Sequence, residues 1–322
     1  MVTLSPRARP RAVLCLLAAL ALVAMAVFMV WGARGNWAFV LPFRGLKLAA
    51  LVLVAYAIAV STVLFQTVTG NRILTPSIMG FDALYLLIQT LLVFFFGSQQ
   101  VFSMDARLLF ALNVGVMVFL SILLFRWLFG AEARSLHLVV LVGIVFGIFF
   151  RSLTSFMQRV LDPNEFMVLQ DRFFASFNSV EPTLLGISAV IVALLTVLGW
   201  RMAPALDVLG LGRYTAINLG LPYRRTVLLV LMLVSVQVSV STALVGPITF
   251  FGLLVASLAR ALVGAERHAT VLPAAVLLGI ICLVGGQVVL ERVFSFDTAL
   301  SIIIEFTGGI TFLILILRRS AR

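Results

Sequence analysis

Few side chains in this sequence are equipped for covalent or metal chemistry, and those that are stand apart from one another. Its single lysine, Lys47, lacks the GxxxxGK surroundings with which a P-loop cradles phosphates, so nucleotide binding of that kind is excluded. His137 and His268 are isolated from other potential ligands, and no HExxH or CxxC pattern occurs, so no metal site is expected. Cys15 and Cys282 fall inside apolar runs, where a cysteine is a small packing residue; they carry no information on redox compartment. The exception is Glu305, in Ile304-Glu305-Phe306-Thr307-Gly308-Gly309 within a long apolar stretch. A charge at a spanning-helix centre costs about 2.5–3.5 kcal/mol, so such a residue faces a bundle interior or an aqueous cavity. Glu305 therefore either hydrogen-bonds a neighbouring helix or lies on a transport path, and Arg151 is the nearest candidate counter-charge.

The elements that must hold these residues are membrane spans. In 322 residues, 63% are hydrophobic and 11% charged, and the mean hydropathy is +1.20. That composition is too apolar for a water-soluble domain. Apolar runs at 12–30, 46–65, 108–125, 138–150, 184–200, 226–244, 271–290 and 301–317 reach or approach the roughly 20 residues a spanning helix requires. With the less uniform stretches 81–96 and 250–263 they predict an all-α integral membrane protein of about ten spans in a single domain, 1–322. The net charge of +11 does not mark a nucleic-acid partner, because the arginines lie between apolar runs rather than on one basic face. The first run follows Arg7, Arg9 and Arg11 without a convincing cleavage site, so it reads as a retained span. Counting spans from a cytoplasmic amino terminus puts about fifteen of the 23 basic residues inside, as the positive-inside rule requires. Both termini are then cytoplasmic.

Three connections exceed a tight turn. The outer segment 155–180 holds Asp162-Pro163-Asn164-Glu165, a helix-start pattern that predicts a short helix or re-entrant stretch. The inner segment 202–225, with Pro204, Gly210, Gly212, Gly220 and Pro222, predicts two short surface helices. The third, beginning Gly246-Pro247, is a break between spans seven and eight. Spans two to five and seven to ten form two sets of four separated by one helix, so equivalent helices run in opposite directions, as in an inverted repeat.

Against this frame, Arg44-Gly45-Leu46-Lys47, Gln66, Asn71, Pro76 and Gly80 resemble the R-x-P-R, glutamine and N-P-L-A-x-P series, ending in a glycine, of the iron-siderophore and cobalamin ABC importer permeases. Phe81-Asp82-Ala83 stands where that family has a small Ser-Asn-Gly segment. Leu211-Gly212-Arg213-Tyr214-Thr215-Ala216-Ile217-Asn218-Leu219-Gly220 is similar to its L-G-E-x-x-A-x-x-L-G coupling loop, with Arg213 in place of the glutamate. Gly246-Pro247-Ile248-Thr249-Phe250-Phe251-Gly252-Leu253, ending at Arg260, resembles G-P-I-x-F-x-G-L-x-x-P-H-x-x-R. The wording of 71–82 and of 162–166 looks most like the catecholate-siderophore branch.

The resemblance implies a ten-span type II permease in a bacterial inner membrane, paired with a second permease, two ATPase subunits and a substrate-binding protein. ATP-Mg would sit on the ATPases, with no cofactor on this chain and a ferric siderophore as cargo. It implies ATPase coupling through Leu211, Gly212, Arg213, Ala216, Leu219 and Gly220, and a path lined by Phe149, Phe150, Ser152, Glu305 and Thr307. Arg44, Lys47, Arg159 and Arg172 would meet the binding protein. An ion-coupled carrier is the competing reading, but one intramembrane glutamate is thin support for ion coupling. A non-transporting scaffold is the other.

Overall fold

The computed structural model describes residues 8–32, 35, 37–130 and 136–320, and all regular structure among them is helical. The order is α1 (Ala8–Val30), α2 (Trp37–Thr69), α3 (Phe81–Phe96), α4 (Ser98–Ser103), α5 (Ala106–Gly130), α6 (Leu136–Val160) and α7 (Pro163–Gln170). It continues with α8 (Pro182–Arg201), α9 (Ala203–Leu209), α10 (Arg213–Asn218), α11 (Tyr223–Val245), α12 (Phe251–Val263), α13 (His268–Arg292) and α14 (Leu300–Ser320). Seven of these, α1, α2, α5, α6, α8, α11 and α13, are long and apolar enough to cross a membrane. Shorter apolar helices at Phe81–Phe96, Phe251–Val263 and Leu300–Thr311 occupy the places of expected spans three, eight and ten.

A helix that is apolar on every side can meet lipid on one flank and protein on the other, and burial shows which helices are central. The spanning windows of α2 and α11 are each 67% buried within the chain, against 28% for α5 and 22% for α6. Both central helices carry small hydroxyl residues at their contacts: Ser61 and Thr62 on α2, and Ser235, Ser239 and Ser241 on α11. Small residues let helices approach closely where lipid supplies no hydrophobic drive. At Gly252 an added Cβ would lie 2.2 Å from the Thr62 hydroxyl, and at Gly279 it would lie 3.3 Å from the Ala55 carbonyl oxygen. These glycines set how near α12 and α13 come to α2. The first helix is part of this body, packing along α13 and burying Leu17, Ala21 and Phe28.

The packing pattern supports the inverted repeat. Exchanging spans two to five with seven to ten turns the α2–α13 contact into α11–α5, α3–α6 into α12–α14, and α2–α12 into α11–α3, and each of these contacts is present. In each half a long central helix ends, the chain makes a glycine-containing break (70–80 or 246–250), and a short buried helix follows.

The expected surface helices form. Asp162 starts α7 by accepting the Asn164 N–H at 2.8 Å, with Pro163 as the first helical residue and Glu165 in the first turn. The 202–225 segment folds into α9 and α10. Sequence periodicity places two boundaries differently: α2 begins at Trp37 rather than near 46, and α13 runs on to Arg292. In both cases ionisable residues extend the helix because their charges are satisfied by neighbouring helices, as described next.

Candidate functional site

Three groups of polar residues interrupt the apolar helices. The first is on the face that carries 202–225. There α9 packs against α2 and α13 while α10 lies outside, touching α9 and α11. Ala216 is fully buried, but Leu211, Tyr214, Ile217 and Leu219 expose 60, 81, 46 and 61% of their surfaces. An apolar face left this bare on a charged surface suits a partner protein. Gly212 and Gly220 bracket α10 at φ +96° and +82°, and nothing lies within 4 Å of where their Cβ atoms would be. They are required for left-handed backbone rather than for space. Ala216, expected to pack against a partner, is instead covered by its own chain. The Arg213 guanidinium stands over the Tyr223 ring at 5.9 Å.

Behind this surface a cavity of about 300 Å³ is lined by Gln66, Thr67, Arg72, Asp207, Arg260 and His268, among others. Arg72 pairs with Glu266 at 2.8 Å, and Gln66 donates to the Arg72 carbonyl at 2.7 Å while accepting from Arg260. The Asp207 carboxyl is opposed by partial burial, which raises its pKa. Hydrogen bonds from the His268 backbone N–H and imidazole, with the nearby charges of His268 and Arg267, overcome this and hold it below its ordinary 3.8.

The second group lies where the two breaks meet. Asp82, in the first turn of α3, is 7% exposed; the Thr249 and Ser77 hydroxyls neighbour its carboxylate, yet Oδ2 has no partner among the described residues. Thr249 belongs to the other break, and its backbone amide reaches Glu305 on α14. Asp82 is within electrostatic reach of both Glu305 and Arg151, so the charge expected between those two residues passes through a third. Sequence reading missed Asp82; its signal was an acid replacing a neutral residue two positions after Gly80. Of the expected path residues, Phe149, Ser152, Glu305 and Thr307 are exposed on α6 and α14. Phe150 is half-buried and, with Phe146 and Met79, lines an apolar crevice of about 390 Å³. The Thr307 hydroxyl donates to the Ile303 carbonyl at 2.7 Å.

The third group is on the opposite face. Lys47 Nζ meets Glu291 Oε1 at 2.9 Å, with side-chain exposures of 7% and 12%. Gln287 donates to the same carboxylate oxygen at 2.9 Å, and the Phe43 and Phe296 rings flank the ammonium group at 5.4 and 5.6 Å. Arg44 donates to the carbonyls of Phe28, Met29 and Trp31 at 2.8, 3.1 and 3.0 Å, and Arg292 donates to that of Trp31 at 2.6 Å. These guanidinium groups cap the end of α1, where carbonyls are left without helical partners. Lys47 is thus withdrawn from the expected docking set, since its charge is buried and paired, and Arg44 is committed to backbone. Arg159 is exposed, and Arg172 lines a mixed polar cavity of about 870 Å³ together with Asn178, Glu181, Gln287 and Asp297. The side chain of His137 lies outside the described residues. Among the described residues, no group of three or more His, Cys, Asp or Glu side chains converges as a metal site.

A family model, the FecCD transport family, matches residues 11–318. This chain belongs to the FecCD transport family. It is 48% identical over 307 residues to the petrobactin import system permease protein YclO of Bacillus subtilis (strain 168), covering 95% of this chain and 97% of that one. It is 37% identical over 278 residues to the petrobactin import system permease protein FatC of Bacillus anthracis, covering 86% and 78%. A solved structure described as an inward-facing conformation of a metal-chelate type ABC transporter superposes with TM-score 0.81 at 22% identity, covering 96% of this chain and 99% of that one, and it shares the fold. All three polar groups of this FecCD-family chain fall inside the matched region.

Proposed function

We propose that this chain is the membrane-spanning permease subunit of an ATP-driven importer that moves an iron(III)–siderophore chelate across a bacterial inner membrane. The observation that carries the reading is the end-to-end likeness to a petrobactin import permease at 48% identity. A second permease completes the path, two ATPases holding ATP-Mg supply the energy, and a substrate-binding protein delivers the cargo. This chain holds no cofactor of its own. The 202–225 segment and both termini are cytoplasmic, and the exposed side chains of Leu211, Tyr214, Ile217 and Leu219 seat in the ATPase. Arg213, with Gly212 and Gly220 shaping the backbone, belongs to the same contact. Phe149, Phe150, Ser152, Glu305 and Thr307 border the path, where dispersed contacts let a large chelate pass without being trapped. Arg159 and Arg172 lie on the external face and meet the binding protein.

ATP binding moves the ATPases, and the surface helices pass that movement to the spans in an alternating-access cycle. The test is uptake of radioiron chelate by proteoliposomes containing the permease pair, the ATPases and the binding protein. Uptake that requires ATP and persists when proton and sodium gradients are collapsed is expected. Uptake that continues without the ATPase and fails with the gradient would replace this reading with an ion-coupled carrier.

A further inference from the structure

The 202–225 segment is joined to the spans by a chain of hydrogen bonds centred on His268. Asp207 Oδ1 on α9 accepts the His268 backbone N–H at 2.9 Å and meets the ring Nδ1 at 2.6 Å. On the other side of the ring, Nε2 meets the Thr67 hydroxyl on α2 at 2.7 Å. That hydroxyl also stands 2.9 Å from the Val63 carbonyl, so its one proton can go to that carbonyl or to the ring. Asp207, a carboxylate held in its ionised form, accepts from Nδ1. The ring thus bridges two helices, donating from Nδ1 to Asp207 and sharing a hydrogen bond at Nε2 with the Thr67 hydroxyl.

The position of the ring matters as much as its hydrogen bonds. His268 is the first residue of α13 and only 5% exposed, wedged between the surface helix α9 and the last turn of α2. α2 and α13 pack along one another. A displacement of α9 cannot leave this ring behind without breaking the two hydrogen bonds that Asp207 accepts from His268.

We propose that Asp207, His268 and Thr67 form a hydrogen-bonded strut that transmits displacement of the 202–225 segment into the ends of α2 and α13. His268 is in this sense a positioning residue for coupling. The inference rests on the reading of 202–225 as the ATPase-docking segment. The charged and titratable groups that face the ring are Asp207 from α9 and Glu266 and Arg267 from the turn before α13, with Arg72 and Arg260 lining the same cavity.

Two measurements test it. The chain has two histidines, so imidazole ¹⁵N signals of the full permease in liposomes can be assigned with His268→Gln. His268 should show a protonated Nδ1 in a strong hydrogen bond, and Asp207→Asn should weaken that bond. In the reconstituted transporter, Asp207→Asn, which keeps the shape and one acceptor oxygen, should lower transport per ATP hydrolysed by about tenfold or more while the ATPases remain bound. Asp207→Glu should restore most of it. A purely structural role predicts that Asp207→Asn is as active as the parent. An Nδ1 without a proton in the parent protein, or undiminished transport per ATP in Asp207→Asn and His268→Gln, overturns the strut. Tyr214→Asp separates the two readings: if it leaves ATPase binding intact, the docking assignment fails, whereas lost binding there with full coupling in the His268 variant removes the strut alone.

Discussion

Replacing Lys47 by methionine distinguishes a buried structural charge from a surface one. In the parent the ammonium group sits 2.9 Å from Glu291, with 7% and 12% of the two side chains exposed. Methionine fills a similar volume between Phe43 and Phe296 but leaves the Glu291 carboxylate with Gln287 as its remaining donor. Breaking a buried pair from one side costs about 3–5 kcal/mol, because an uncompensated charge remains. Glu291→Gln should cost a similar amount by stranding the lysine. The double variant removes both charges, so its loss should be well below the sum, with a coupling energy of about 2 kcal/mol or more. Equilibrium unfolding of the purified permease in mixed detergent micelles, run as a double-mutant cycle, reads these numbers directly. Single variants that each cost under about 1 kcal/mol and combine additively would refute the reasoning, since that is the behaviour of an exposed pair.

Gly80→Ala places a Cβ 2.7 Å from the Gly147 Cα at a residue whose φ is +101°, so steric overlap and left-handed strain together should cost about 2–4 kcal/mol in the same unfolding assay. At Gly220, where φ is +82° and the surrounding space is open, Gly220→Asn should preserve ATPase binding better than Gly220→Val, because asparagine tolerates the left-handed region; equal binding would show that backbone conformation is not the constraint. The Asp207 carboxyl has a folded-state pKa below its ordinary 3.8, so its contribution to stability is present above that value and is lost as pH falls through the lower, folded one. The difference in thermal stability between the parent and Asp207→Asn should therefore hold through neutral pH and close under strong acid.

The parts of the site that were legible in the sequence were those written locally. Gly212, Gly220 and Gly246 stand at left-handed turns, and Asp162-Pro163-Asn164-Glu165 starts a helix, because each acts through its own neighbours in the chain. What escaped was written across space. Lys47 lies 244 residues from Glu291, and nothing near either residue in sequence says that it is paired, so the docking role implied by the resemblance met no local sign against it. His268 looked isolated because its carboxylate lies 61 residues upstream. Ala216, implied by the resemblance as a coupling residue, is covered by its own chain, which the spacing of the loop does not show. Asp82 was visible as a substitution, and its importance depends on Thr249 and Glu305, which the second half of the chain delivers.

The distribution of these contacts also says which parts can move. On one face, Arg44, Arg292 and the Lys47–Glu291 pair lash α1, α2 and α13 together; on the other, His268 ties α2 and α13 to α9. Helices fastened at both ends travel as a body. The path-bordering helices are fastened differently: α6 rides on α3 through the Gly80–Gly147 contact, and α14 rides on α12, where Gly308 faces Leu254 and Phe250. Each short carrier helix joins the central body through a break containing a left-handed glycine, Gly80 at φ +101° or Gly246 at φ +98°. A push delivered to α13 reaches α14 by direct packing and through α12, whereas α6 is reached from α2 by a smaller contact and across the 70–80 break. On the proposed function, the α3–α6 and α12–α14 pairs border the path, and Asp82 stands between them within electrostatic reach of both Arg151 and Glu305.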